Sequence, residues 1–149
     1  MGWRRATASA ATAVLLAGAA AAEPLLDGGL YAVTARLELP HLERYAVART
    51  RMVCVAAEPA PGALPLPVLS GNMPFAGCAA QGILRDGDRL GYDIVCAGRD
   101  AARARADYRL GPAGFSGRIA MVMGAKNMIM TEVQSGRKLG ACATAAALD

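Results

Sequence analysis

Cys78-Ala79-Ala80-Gln81-Gly82-Ile83-Leu84-Arg85-Asp86-Gly87-Asp88-Arg89-Leu90-Gly91-Tyr92-Asp93-Ile94-Val95-Cys96 is symmetric about its central glycine. A hairpin turned at Asp86-Gly87-Asp88 sets Ala80 opposite Ile94, Gly82 opposite Tyr92, Leu84 opposite Leu90 and Cys78 opposite Cys96, all on one face. The other face then carries Gln81, Arg85, Arg89 and Asp93. Alternation and turn chemistry choose this register without reference to the cysteines. Directly opposed residues bring their Cβ atoms close enough to bridge, so the spacing predicts a Cys78–Cys96 disulfide and leaves Cys54 with Cys142. An even cysteine count, no Cys-x-x-Cys spacing and a single histidine, His41, favour two disulfides over a metal site.

Strand signals continue on both sides. From Leu30 to Leu39 the chain alternates, with Tyr31, Val33, Ala35, Leu37 and Leu39 on one side and Thr34, Arg36 and Glu38 on the other, until Pro40 ends the run. A second strand is expected from Arg49 to Ala56. Between Ala57 and Gly77, Pro59, Pro61, Pro65, Pro67 and Pro74 forbid a long helix or a central strand, so this is the one long connection. Ala102, Ala104, Ala106, Tyr108 and Leu110 then alternate with arginines up to a Gly111-Pro112-Ala113-Gly114 turn. Folding about that turn sets them against Met123, Met121, Ile119, Gly117 and Phe115, small residues facing large ones. A turn at Gly124-Ala125-Lys126-Asn127 returns a strand from Met128 to about Val133, continuing past Ser135-Gly136 to Cys142. The expected fold is all-β: an antiparallel meander of seven to eight strands, curled into a barrel or half-barrel because a twisted sheet with one apolar face must close over something.

Residues 1–22 read as a cleaved export signal and 23–149 as a single β domain. Trp3-Arg4-Arg5 makes a short basic start, Ala10 to Ala19 an apolar run, and Ala20-Ala21-Ala22 a small-residue cleavage pattern that leaves Glu23 as the new terminus. A membrane span needs about 20 strongly apolar residues, and this run is short and built largely of Ala and Thr. No span is therefore expected in the mature chain, and a periplasmic or secreted location is. The net charge of +4 includes Arg4 and Arg5, whereas all 12 acidic residues lie beyond the signal, so the mature chain is nearly balanced. Its basic residues are scattered, which speaks against a nucleic-acid partner.

Candidate sites are few. With the last turn as read, Met123 lies opposite Met128 and Met121 opposite Met130, four thioethers on one face. Thioether sulfur selects Cu(I) or Ag(I), yet methionine is also an ordinary filler of irregular cores. Glu132 and Gln134 continue the same face; turned inward, Glu132 joins the methionines as a candidate ligand-binding residue. A bulge or rim position that returns its carboxylate to solvent is the expected arrangement, because a buried carboxylate without a partner is costly. His41 reads as a solvated loop histidine, and Asp86-Gly87-Asp88 lacks the further ligands of a calcium loop. Ser116 in Gly114-Phe115-Ser116-Gly117 sits on a strand and not on a nucleophile elbow. Arg103, Arg105 and Arg109 make a basic stripe on the solvent face.

Gly29-Leu30-Tyr31 opens the first strand, the four cysteines follow the order strand, hairpin start, hairpin end and C-terminus, the third hairpin is Met-rich, and Gly136-Arg137-Lys138-Leu139-Gly140-Ala141-Cys142 closes the pattern. In these features nearly the whole mature chain resembles the bacterial domain-of-unknown-function 3617 family, small exported proteins with a Gly-Leu-Trp type motif. It departs at Tyr31, where the motif has Trp. The resemblance implies export and one small domain, and no activity. No motif pairs a nucleophile with a base, so the chain reads as a noncatalytic exported domain that needs no cofactor and accommodates an apolar small molecule in its interior. The alternatives are a Cu(I)/Ag(I)-binding protein using Met121, Met123, Met128 and Met130, and a partner-binding module using the arginine stripe or the Pro-rich segment.

Overall fold

The structure, a computed structural model, describes residues 23–71, 75, 77–99, 101–124 and 128–143. The expected signal segment and residues 125–127 of the last turn lie outside the described residues. Seven strands, β1 (Gly29–Glu38), β2 (Ala48–Val55), β3 (Ala79–Asp86), β4 (Arg89–Val95), β5 (Arg103–Gly111), β6 (Gly114–Val122) and β7 (Ile129–Gly140), make one antiparallel sheet in the order β2-β1-β7-β6-β5-β4-β3. β3 to β7 are the expected meander. The β1–β2 hairpin extends it because β1 seats on β7, from Tyr31 opposite Lys138 to Glu38 opposite Thr131. β2 and β3 remain as free edges, so the sheet is an open half-barrel.

The apolar face is built from alternate positions, as the pattern requires. Leu110 faces Phe115, Tyr108 faces Gly117, Ala106 faces Ile119 and Ala104 faces Met121, in the expected register. Glycine is needed where rings cross the sheet: a Cβ on Gly117 would come within 2.3 Å of the Tyr108 ring, and one on Gly136 within 2.3 Å of the Phe115 ring. Room made there lets aromatics pack in series. Tyr92 stacks on Tyr108 with centroids 6.2 Å apart, Tyr108 meets Phe115 edge-on at 5.6 Å, and Phe115 meets Tyr31 at 5.5 Å.

The β3–β4 hairpin differs from expectation in its outer half. Ala79 to Gln81 keep the symmetric register, Ala80 facing Ile94, but beyond a bulge Leu84 faces Gly91 and Arg85 faces Leu90. The reason is a parity conflict. The loop between the paired Asp86 and Arg89 has two residues with a left-handed glycine, Gly87, first, whereas the Cys78–Cys96 symmetry calls for a loop centred on Gly87. One residue must be absorbed, and Gly82, at φ +56°, absorbs it as a bulge. Every later side chain in β3 changes face. Leu84 becomes exposed, and Arg85 turns to the rim, where its guanidinium pairs with Glu23 at 2.6 Å and donates to the Pro24 carbonyl.

Residues 56–78 must travel from one sheet edge to the other, since β2 and β3 are the two edges. Their described part, 56–71, 75, 77 and 78, lies over the apolar face as its second layer, with Leu66 and Phe75 buried and Leu64, Val68 and Leu69 packed against the core. Prolines suit this path because it makes no ladder bonds. The interior expected to accommodate a ligand is thus occupied here by the chain itself. Cys54–Cys142 and Cys78–Cys96 are both bonded as expected, with Cα atoms 5.6 and 4.4 Å apart. The first ties edge strand β2 to the end of β7 across β1; the second closes the base of the β3–β4 hairpin.

Candidate functional site

The expectation for Glu132 is overturned. Unbroken β6–β7 pairing sets Ile119 opposite Glu132 and Gly117 opposite Gln134, so both polar side chains point inward, Glu132 at 0% and Gln134 at 2% exposure. The cost of burial is met by the crossing segment. The Leu69 N–H donates to Glu132 Oε1 at 2.8 Å and the Ser70 N–H to Oε2 at 2.6 Å. Gln134 Nε2 donates both to Glu132 Oε1 and to the Pro67 carbonyl, the latter at 2.8 Å, while Tyr108 donates its hydroxyl to Gln134 Oε1 at 2.9 Å. Tyr92 donates to the Leu66 carbonyl at 2.9 Å. Burial pushes the Tyr92 and Tyr108 hydroxyls above the ordinary tyrosine range, which keeps them as donors. Four backbone groups of the segment, the carbonyls of Leu66 and Pro67 and the N–H groups of Leu69 and Ser70, are thereby held by one polar network, the arrangement in which buried polar groups contribute most.

Glu132 anchors Leu69 and Ser70, and these with Gly71 form one wall of a cleft of about 250 Å³. The opposite wall is the end of the β1–β2 hairpin: Ala35, Leu37 and Val47, with Arg49 and Arg51. Arg49 faces Ala35 and Arg51 faces Val33, so both arginines stand on the apolar side of edge strand β2. The cleft exists because β1 outruns the second layer. Tyr31, Val33 and Ala35 are buried, while Leu37 on the same face is only half-buried and Val47 is 71% exposed.

The four methionines share one face as expected, Met121 opposite Met130 and the Met123 N–H donating to the Met128 carbonyl at 2.9 Å. Their environments differ: Met121 and Met130 are buried, Met123 is half-buried and Met128 exposed. The metal reading needs four accessible sulfurs, and this burial instead matches packing against Ala104. Changing Met121 and Met130 together to leucine, a volume-conserving swap, should therefore cost less than about 1.5 kcal/mol per site by urea titration. Stoichiometric Cu(I) binding lost in that variant would show the packing account to be wrong.

Other singled-out residues are ordinary surface. His41 sits exposed at φ +67°, its backbone N–H donating to Glu43 Oε1 at 3.1 Å. Ser116 is exposed on β6. Among the described residues no three His, Cys, Asp or Glu side chains group as metal ligands. The arginine stripe is interlaced with acids: Arg105 lies 3.3 Å from Asp93 and 3.4 Å from Asp107, and Arg109 2.6 Å from Asp88. A shallow depression of about 770 Å³ on the outer face is lined by Arg105, Asp107 and Arg109 together with Arg36, Glu38 and Arg118, and Glu38 pairs with both Arg36 and Arg118. Such exposed pairs contribute little and describe a solvated face.

Comparison of the chain with family models, with curated proteins and with solved structures found no match. The residues that sequence reasoning missed are Arg49, Arg51, Leu69, Ser70 and Gly71. For the arginines a signal was present: they share the parity of Val53 and Val55, so cations occupy the apolar face of a strand. For the loop residues no local signal exists, because only Glu132 on a distant strand places them.

Proposed function

We propose that this chain is an exported, disulfide-stapled, noncatalytic domain that binds a small molecule with an apolar portion, in the cleft between the β1–β2 hairpin and Leu69-Ser70-Gly71. The observation that carries the reading is the cleft itself: Ala35, Leu37 and Val47 leave apolar surface at its wall, and the buried Glu132 clamp holds the facing wall rigid. Preformed, mostly apolar concavities with a few placed polar groups are the usual form of small-molecule sites. A noncatalytic role is supported by the use of all four cysteines in disulfides and by the isolated, exposed position of His41. Two disulfides fit an oxidising compartment, and no helix among the described residues is long and apolar enough to cross a membrane. The kinship to the domain-of-unknown-function 3617 family belongs to the same proposal.

Gly71 provides the test. It lines the cleft, is exposed, and a Cβ built on it meets nothing within 4 Å. Gly71→Phe should fill the cleft while changing stability by no more than about 0.5 kcal/mol. Titration of the unmodified mature protein with 1-octanol, followed by amide shifts, should move Ala35, Leu37, Val47 and Gly71 and leave β4 and β5 still. The variant should lose at least tenfold in affinity. Shifts centred elsewhere, or equal affinity in the variant, would refute the cleft as the site.

A further inference from the structure

We propose that the molecule bound in this cleft carries an anionic head, and that it is a medium-chain carboxylate held by Arg49 and Arg51. The inference rests on the cleft being the binding site and names the class of its ligand.

Three observations lead there. Arg49 and Arg51 stand two residues apart on the side of β2 that faces the second layer, where alternation calls for apolar side chains, as Val53 and Val55 further along the strand illustrate. Among the described residues neither has an ion-pair or hydrogen-bond partner. On the outer face Arg36, Arg105, Arg109 and Arg118 are matched with Glu38, Asp93, Asp107 and Asp88, while Arg89, Arg103 and Arg137 stand exposed without an ion pair among the described residues, so what sets Arg49 and Arg51 apart is their place on the apolar side. The carboxylate that faces the same segment from within, Glu132, accepts from Leu69, Ser70 and Gln134 and forms no ion pair with either arginine. Two cations at an otherwise apolar wall are what an amphiphile with a single negative head requires. A planar guanidinium meets a carboxylate through two parallel N–H donors, and Arg is the residue suited to that geometry.

Size and lining narrow the class. About 250 Å³ is the room of about eight water-sized groups at roughly 30 Å³ each, which suits an alkyl chain of that order and excludes a long fatty chain or a nucleotide. Among the described residues no aromatic side chain lines the cleft, and the lining offers aliphatic and guanidinium groups instead. Leu37 and Val47 offer aliphatic surface, Val47 at 71% exposure. An eight-carbon carboxylate lays its chain along Ala35, Leu37 and Val47 and leaves its head at the two arginines.

The experiment compares head groups at constant chain length on the intact mature protein: octanoate, 1-octanol and octylammonium, by calorimetry and amide shifts in low-salt buffer. Octanoate should bind at least tenfold more tightly than octanol, octylammonium more weakly than either, and the advantage of octanoate should shrink as salt is added. In Arg49→Gln/Arg51→Gln, the preference for octanoate over octanol should fall from at least tenfold to about one, and the melting temperature should hold because both arginines are exposed. Equal binding of octanoate and octanol by the unmodified protein would overturn the anionic head and leave the cleft standing. An octanoate advantage that survives in the double glutamine variant would overturn the assignment of the head to Arg49 and Arg51. If none of the three ligands binds, the cleft reading falls and this inference with it. The head-group series on the unmodified protein decides the question even where the variant fails to fold.

Discussion

Replacing Glu132 by glutamine is expected to lower stability by about 2 to 3 kcal/mol, and by alanine by about 4 kcal/mol, although no ligand or catalytic role is assigned to it. Its two oxygens accept the backbone N–H groups of Leu69 and Ser70 and the amide of Gln134, all away from water. A glutamine in either orientation presents an NH₂ to one of those donors, so one buried N–H loses its acceptor and a second donor crowds it. Alanine strands both N–H groups and leaves a void. Residues 23–149 contain no tryptophan, the one in the sequence being Trp3, so near-ultraviolet circular dichroism from Tyr92 and Tyr108 is the natural probe in a urea titration of that domain. The midpoint should fall with an unchanged slope, and octanol affinity should fall with it, because the same bonds hold one wall of the cleft. A glutamine variant within about 0.5 kcal/mol of the parent would show that the segment is held by Leu66 and Phe75 alone.

The two disulfides should differ in what their removal costs. Cys54 and Cys142 are 88 residues apart and Cys78 and Cys96 18, so the chain-entropy account gives about 4 to 5 kcal/mol for the first and about 3 for the second. Structure sharpens the contrast. β2 is an edge strand whose residues Ala48 to Met52 are all exposed, joined to the sheet by β1 on one side only. Without Cys54–Cys142 it should fray, and its amides from Arg49 to Val53 should lose hydrogen-exchange protection before those of β5 and β6. A loss of 4 to 5 kcal/mol takes from about a third to nearly all of the roughly 5 to 15 kcal/mol that folded domains have, so the Cys54→Ser/Cys142→Ser protein should melt well below the parent, with the cleft wall carried by Arg49 and Arg51 disordered first. A smaller drop in melting temperature than for Cys78→Ser/Cys96→Ser would contradict the entropic ranking and the edge-strand account together.

Much of the sheet was legible because β patterning has a period of two and leaves little freedom once one pair is known. Leu110 against Phe115 fixes Ala104 against Met121, and a turn near Gly124 then fixes Met121 against Met130 and Ile119 against Glu132. The same arithmetic failed in β3, where the Gly87 loop and the cysteine pair demand registers one residue apart. The chain resolves the conflict at Gly82, and Leu84 and Arg85 exchange faces. Nothing local distinguishes a glycine that bulges from one that merely pairs.

What the amino-acid sequence determined by itself was the all-β class, the number of strands to within one and both disulfide pairings; period-two alternation offered an inward Glu132, which the expected bulge or rim set aside. Each follows from short-range rules: alternation, turn residues and cross-strand distance. Tertiary structure alone decided that β1 seats on β7, that the Pro-rich segment crosses the apolar face, and that Glu132 is buried, because these depend on contacts more than sixty residues apart along the chain. Solvation sets the price of an inward carboxylate, and only a folded partner can supply the donors that offset it. The cleft belongs to the same class: Arg49 and Arg51 come from one edge strand and Leu69 to Gly71 from a crossing segment, and no local rule brings the two together.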